Sequence, residues 1–207
     1  EEAGQVSSIY GLLKQTNSRL LVSQFILHQA AVSSITYLFP LWVGDLLGWR
    51  AREVGVIFGV QGALMVIVQG GLLSPLVRLF GELLLLRLAI GALLLGLLSA
   101  IFVNTMSGMV GSFFLALTGA TLCIPLLNTI VSFTTAQQYR GRMLGITSAA
   151  SSWGRVIGPL LAGTNLALWG YQGAWLGSAI IVVIYLLWAL MKKTRRVDAE
   201  EDVLRTV

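Results

Sequence analysis

The polar side chains of this sequence fall in short stripes at helical spacing inside apolar runs, and those stripes are where any chemistry must lie. Gln24 and His28 stand four apart, followed by Gln29, Ser33 and Thr36. Residues three and four apart share one helix face, so these positions make polar lines along it. Gln61, Met65 and Gln69 repeat the pattern, as do Thr121, Pro125, Asn128 and Ser132. Amides and hydroxyls bring hydrogen bonding without charge, and in hydrocarbon they are costly unless they meet one another, water or a ligand. Two readings stand for each stripe: the wall of an internal cavity, or hydrogen bonds that tie helices together. His28, the only histidine, adds a group that titrates near neutrality and is able to gate a proton, or else serves as a hydrogen-bonded packing residue. Pro125 lacks an N–H and so frees a backbone carbonyl, which is either open to a cavity beside Asn128 or satisfied by the Thr121 hydroxyl.

One full charge joins them. Arg155 lies thirteen residues after Arg142 and fourteen before Trp169, so on a helix its Cα is about 20 Å from either end. That is too deep to snorkel, and a charge at such depth costs about 2.5–3.5 kcal/mol on insertion scales. No Asp or Glu occurs inside an apolar run: Asp45 and Glu53 border one loop, Glu82 borders another, and the rest are terminal. The counter-charge is therefore expected from a partner domain, an anionic ligand, or carbonyls and water. Beside Arg155, the small residues Ala150, Gly154, Gly158 and Ala162 recur every four positions, with Pro159 following Gly158. They form a strip along which another helix backbone can approach closely.

Several chemistries are excluded by what is missing. One His and one Cys do not make a metal site. The lone His without a G-x-S-x-G elbow makes no serine hydrolase, and no phosphate-binding loop is present. No enzymatic activity and no cofactor are expected. Cys123, the single cysteine, forms no intrachain disulfide.

The elements that carry these residues follow from composition. The chain is 56% hydrophobic and 11% charged, with a mean hydropathy of +0.82, which requires an apolar exterior as well as an apolar core. An all-α integral membrane protein is expected. The net charge of +5 lies in short clusters between apolar runs, which fits topology in a lipid bilayer and not nucleic acid. Six spans are predicted at about 20–43, 54–77, 83–103, 109–133, 143–168 and 174–191, each near the ~20 residues a bilayer needs. Residues 1–18 read as a polar or interfacial lead-in and 192–207 as a charged tail. Lys14, Arg19, Arg78, Arg87, Arg140, Arg142, Lys192, Lys193, Arg195, Arg196 and Arg205 fall on one side, against Arg50 and Arg52 on the other. Both termini are thereby expected in the cytoplasm. Trp42, Trp49, Trp169 and Tyr171 are expected at the outer boundary and Trp188 near the inner one. The second and fifth spans both place glycines near a proline, Gly70-Gly71 to Pro75 and Gly158-Pro159, as corresponding helices of a 3+3 inverted repeat do.

Taken together, these motifs resemble the C-terminal half of a major facilitator superfamily transporter, of the drug and proton antiporter type. The stretch Gly70 to Arg87 resembles the family's loop between helices eight and nine, with Gly71, Arg78, Gly81 and Arg87 matching in position and Ser74 or Pro75 standing where the stronger copy of that motif has an aspartate. Arg140-Gly141-Arg142 through Gly145, then Trp153-Gly154-Arg155 and Gly158-Pro159 through Gly163, resemble helix eleven and its preceding loop. The resemblance implies that the six spans are helices seven to twelve and that Gln24, His28, Thr121 and Asn128 face a substrate cavity. It implies that the small-residue seam and Arg155 face the other half. It further implies alternating access, with proton-coupled export of amphipathic small molecules from the cell membrane, and residues 1–18 as the end of a cytoplasmic linker. A start without Met fits a fragment whose partner is the N-terminal half of the same transporter. The alternative is a self-contained six-helix channel or scaffold that dimerises through the Gly/Ala seam of the fifth span.

Overall fold

The computed structural model describes residues 16–191. The lead-in before residue 16, the tail 192–207, and with them Lys14, Lys192, Lys193, Arg195, Arg196 and Arg205, lie outside the described residues. Apart from short connections the described chain is helical: α1 Thr16–Leu47, α2 Ala51–Ile67, a π-helical turn Val68–Leu72, α3 Leu73–Phe102, α4 Met106–Thr134, a 3-10 turn Gln137–Tyr139 and α5 Arg140–Met191.

The run from Ala51 to Phe102 is 52 residues long and would measure about 78 Å if straight, far more than a hydrocarbon core of about 30 Å. It is divided at Gly81, with φ 71° and ψ 163°. α5 is divided at Gly170, with φ 66° and ψ −167°. This backbone region is open essentially to glycine alone, so both divisions are written into the residue type. Four apolar helices thus supply six spans: α1; α2 with the π turn and the start of α3; α3 beyond Gly81; α4; α5 before Gly170; and α5 after it. The breaks fall between spans two and three and between spans five and six. They occupy the same place in each set of three, which is the 3+3 organisation.

The helix ends are closed by nearby groups. Gly48, at φ 68°, ends α1 and donates its N–H to Gly44 O at 3.0 Å, a glycine C-cap. The Glu53 carboxylate accepts from Arg50 N–H at 2.9 Å where α2 begins. Thr105 Oγ1 accepts from Gly108 N–H at 3.3 Å where α4 begins. Arg87 of span three donates to the last carbonyls of span six, Ala189 O at 3.3 Å and Leu190 O at 3.4 Å, placing a cation at the negative end of that helix. Beyond Gly170, the Tyr171 hydroxyl donates to Asp45 at 2.5 Å, and partial burial, then the Asp45 carboxylate, hold the phenol above its usual range.

Two close helix contacts make the core. Spans three and four meet where a Cβ added to Gly119 would lie 2.5 Å from Ala89 O, and one added to Gly96 would lie 2.5 Å from Ala116 N. Spans one and five meet at Gly154 and Gly158, where an added Cβ would overlap the carbonyl oxygens of Ile26 and Ala30. Ser33 Oγ donates to Gly154 O at 3.4 Å, and the buried Ser34 Oγ donates to Gly158 O at 3.0 Å. The strip of Ala150, Gly154, Gly158 and Ala162 is buried against span one of the same chain. This corrects the expectation that it faces a second half or a second copy. Span one brings Ala30, Ser33 and Ser34, which are small enough for close approach and carry hydroxyls that satisfy the glycine carbonyls. Arg155, by contrast, is exposed within this chain. It lies on the exposed side of span five beside Trp153, Val156 and Leu160, and donates from Nη2 to Ser152 Oγ at 3.3 Å.

Two glycine-to-alanine changes in span five therefore carry opposite signs. Gly158→Ala forces a methyl into the span-one backbone and is expected to cost about 1–3 kcal/mol. Gly145→Ala, where an added Cβ meets nothing within 4 Å, is expected to stabilise by about 0.4–1 kcal/mol. Thermal unfolding midpoints in detergent measure both.

Candidate functional site: a polar-walled cavity between spans one, two and four

Span two packs against the bundle along one edge only. Within α2 and the π turn, Gln61 and Val68 are the buried residues, while Val56, Val60, Val66 and Ile67 are exposed. Between this span and spans one and four lies a cavity of about 580 Å³. Span one contributes His28, Gln29, Val32 and Thr36; span two contributes Phe58, Gln61, Gly62, Met65 and Gln69; span four contributes Leu117, Ala120, Thr121, Ile124, Pro125 and Asn128. Each polar member belongs to one of the helical stripes of the sequence, so three stripes from three spans converge on one space. The wall is mixed: uncharged amides, hydroxyls and an imidazole, interleaved with apolar side chains. Among the described residues, no Lys, Arg, Asp or Glu lines it.

Two of its polar groups are deeply placed and lack partners. His28 is 2% exposed and Gln61 is 6% exposed, and His28 Nδ1 and Gln61 Oε1 have no hydrogen-bond partner among the described residues. The His28 ring is held by its edge contact with Tyr185 of span six, ring centroids 5.9 Å apart at 64°. Gln29 is fixed from behind, since its Cβ sits at the contact between Gly154 and span one.

One tie crosses the cavity. Gln69 Nε2 donates to Thr121 O at 2.9 Å. Thr121 O is the carbonyl four residues before Pro125, which the proline leaves without its helical donor. Thr121's hydroxyl is occupied elsewhere, donating to Leu117 O at 2.7 Å. Of the two readings of Pro125, self-satisfaction by Thr121 is therefore set aside: the freed carbonyl is met by span two. Gln69 lies in the π turn Val68–Leu72, whose wider winding re-aims side chains. Thr129 and Ser132 each donate to a carbonyl of their own helix, Pro125 O at 2.9 Å and Asn128 O at 3.0 Å.

The structure thus brings His28, Thr121 and Asn128 together and adds Gln29, Gln61 and Gln69 to them. Gln24 is buried, 1% exposed, and lies outside the cavity wall, one turn before His28. Gly71 is exposed in the π turn, Arg78 is exposed, Gly81 is the backbone break and Arg87 caps span six, all away from the cavity. A smaller space of about 350 Å³ lies beside Gly81, Glu82, Arg87 and Phe133. Ser34 makes an inter-span contact that sequence reasoning missed. Its signal in the sequence is its place next to Ser33 of the span-one stripe.

The sequence profile described as Major Facilitator Superfamily matches residues 20–205. The chain belongs to the major facilitator superfamily. Among curated relatives it is 26% identical over 188 residues to the multidrug resistance protein MdtG of Erwinia billingiae (strain Eb661), covering 88% of this chain and 46% of that protein. It is 29% identical over 210 residues to MdtG of Serratia proteamaculans (strain 568), covering 95% and 49%. The chain spans about half the length of these relatives. A solved structure described as the human organic anion transporter MFSD10 (TETRAN) is similar in fold, with a TM-score of 0.76 and 18% identity over 84% of this chain and 41% of that one. The chain is accordingly an integral membrane protein with the fold of one half of a superfamily member.

The Gln69–Thr121 tie is testable by a double-mutant cycle. Gln69→Leu leaves a buried carbonyl unmet and is expected to cost about 1–3 kcal/mol. Pro125→Ala returns a helical N–H to that carbonyl, so in its presence Gln69→Leu should cost less than about 0.5 kcal/mol, as read from thermal or denaturant unfolding in detergent.

Proposed function

We propose that this chain is the C-terminal half of a secondary active transporter that moves amphipathic small molecules by alternating access, and that it acts as a carrier and not as an enzyme. The observation that carries the reading is the cavity of about 580 Å³ whose polar stripes come from spans one, two and four. The half-length coverage of the relatives supports a second six-span half as partner. So does Arg155, a charge midway along span five on its exposed face, which in hydrocarbon calls for a counter-group from another body. Binding energy that differs between two orientations of the halves would drive the exchange.

The relatives' name, multidrug resistance protein, supports lipophilic cargo and export. Coupling to protons rests on the family resemblance and on His28 at the cavity wall, with the principal titrating carboxylate assigned to the other half. The excess of basic residues on the side of the bundle that holds the chain ends supports cytoplasmic termini in a cell membrane. The dimerising six-helix scaffold is less well supported, because its interface, the Gly154–Gly158 strip, is filled by span one.

The complete transporter, overproduced in cells stripped of their other efflux pumps, is expected to drive ethidium accumulation in energised inverted membrane vesicles, and a protonophore is expected to abolish it. Arg155→Ala is expected to lower that rate about tenfold, ~1.4 kcal/mol of transition-state or state-population free energy, at an unchanged membrane level. Vesicles that accumulate no more ethidium than empty controls would remove the transporter reading. Equal loss of activity and protein would make Arg155 a structural residue.

A further inference from the structure

We propose that the groove beside the Gly170 break binds the ammonium-bearing headgroup of a phospholipid. The groove lies apart from the polar-walled cavity, at the Gly48 and Gly170 end of the bundle, where spans one and three end and span five turns into span six. Its volume is about 290 Å³, far above the ~10–15 Å³ that a single water needs.

Four of its lining residues are aromatic: Trp42, Trp169, Tyr171 and Trp175. Interfacial tryptophans ordinarily lie against lipid, but Trp42 and Trp175 are each 3% exposed. Their rings meet edge to face, with centroids 5.1 Å apart at 65°, and make a fixed aromatic corner at the base of the groove. Trp169, exposed, and Tyr171, half-buried, stand at its open side. The break at Gly170 separates these two, and Trp169 is seated over Gly173, where an added Cβ would overlap the Trp169 Cβ. Tyr171 donates its hydroxyl to Asp45 at 2.5 Å, which brings an exposed carboxylate to the rim. A carboxylate has further lone pairs for a second donor.

Aromatic rings and a carboxylate present negative potential, and an ammonium complements both. Asn104 and Gln172 also line the groove, with amides able to donate to the phosphate that a headgroup carries beside its ammonium. Acyl chains have a path as well. Leu176, Ile180, Val183 and Leu187 are exposed at helical spacing along span six, starting next to Trp175. Leu98 and Phe102 are exposed at the end of span three. A soluble amine would use the aromatic corner alone, whereas a phospholipid uses the corner and the apolar stripes together. The lipid is therefore the occupant assigned.

Native mass spectrometry tests this on the complete transporter, delipidated in detergent and titrated with phosphatidylethanolamine, phosphatidylcholine or phosphatidylglycerol of matched chains. The two ammonium lipids are each expected to form one adduct at about fivefold lower concentration than phosphatidylglycerol, which lacks the ammonium. Asp45→Asn and Trp169→Leu are each expected to weaken the ammonium lipids by about threefold or more and to leave phosphatidylglycerol binding unchanged. Trp169→Phe, which keeps an aromatic face, is expected to retain the preference. Glycerophosphocholine, a headgroup without chains, should not compete at equal concentration. Equal affinity for the three lipids, a preference that survives both Asp45→Asn and Trp169→Leu, or equal loss of all three lipids in those variants would overturn the headgroup site. Displacement by glycerophosphocholine at equal concentration would overturn the lipid as its occupant.

Discussion

A backbone carbonyl set free inside hydrocarbon has no water to turn to, and the helix contacts of this chain are arranged around that constraint. Prolines, close-packed glycines and helix ends create or expose such carbonyls, and at three places a side chain from a different span answers. Gln69 of span two meets Thr121 O of span four. Ser34 of span one meets Gly158 O of span five. Arg87 of span three meets the terminal carbonyls of span six. Three donors thus tie the bundle in pairs, each across the boundary between the first three spans and the last three.

Two of these ties are counterparts under the 3+3 repeat, yet they do opposite things. Between spans one and five the donors are serines and the acceptors sit on glycines, so the backbones touch. Between spans four and two the donor is a glutamine, whose amide nitrogen lies two bonds further from its backbone than a serine hydroxyl does. The cavity occupies the difference. The length of one side chain therefore separates a packing seam from a cavity in otherwise equivalent places. Among the described residues the cavity wall carries no charge; one amide bond ties it across, while Arg87 serves a helix end and Arg155 lies on the outer face.

Periodicity made much of this legible before any coordinates. Apolar runs of bilayer length marked the spans, and Gln61, Met65, Gln69 and Thr121, Pro125, Asn128 could be read as stripes because a helix face repeats every three to four residues. Facing partners were less legible. The strip from Ala150 to Ala162 announces that some backbone comes close, but not whose, and span one proved to be the occupant. Gln24 shares the face of His28 and still lies outside the cavity, since a wall ends where the neighbouring helix does. For Arg155 the depth followed from counting residues. Its direction depended on which side of span five Gly154 and Gly158 turned inward. The proline near span two also drew attention to Gly70 and Gly71, where the helix only widens into a π turn; the backbone break comes at Gly81, one of the positions matched in the loop motif.

Those divisions at Gly81 and Gly170 have a mechanical meaning. A single residue outside the helix leaves only its two torsions as freedom between the rods on either side. Spans two and three, and likewise spans five and six, are coupled as cranks on a short pin, without the slack that a long loop would give. A tilt of span two at the cavity would load the Gly81 torsions that join it to span three, whose Arg87 holds the end of span six.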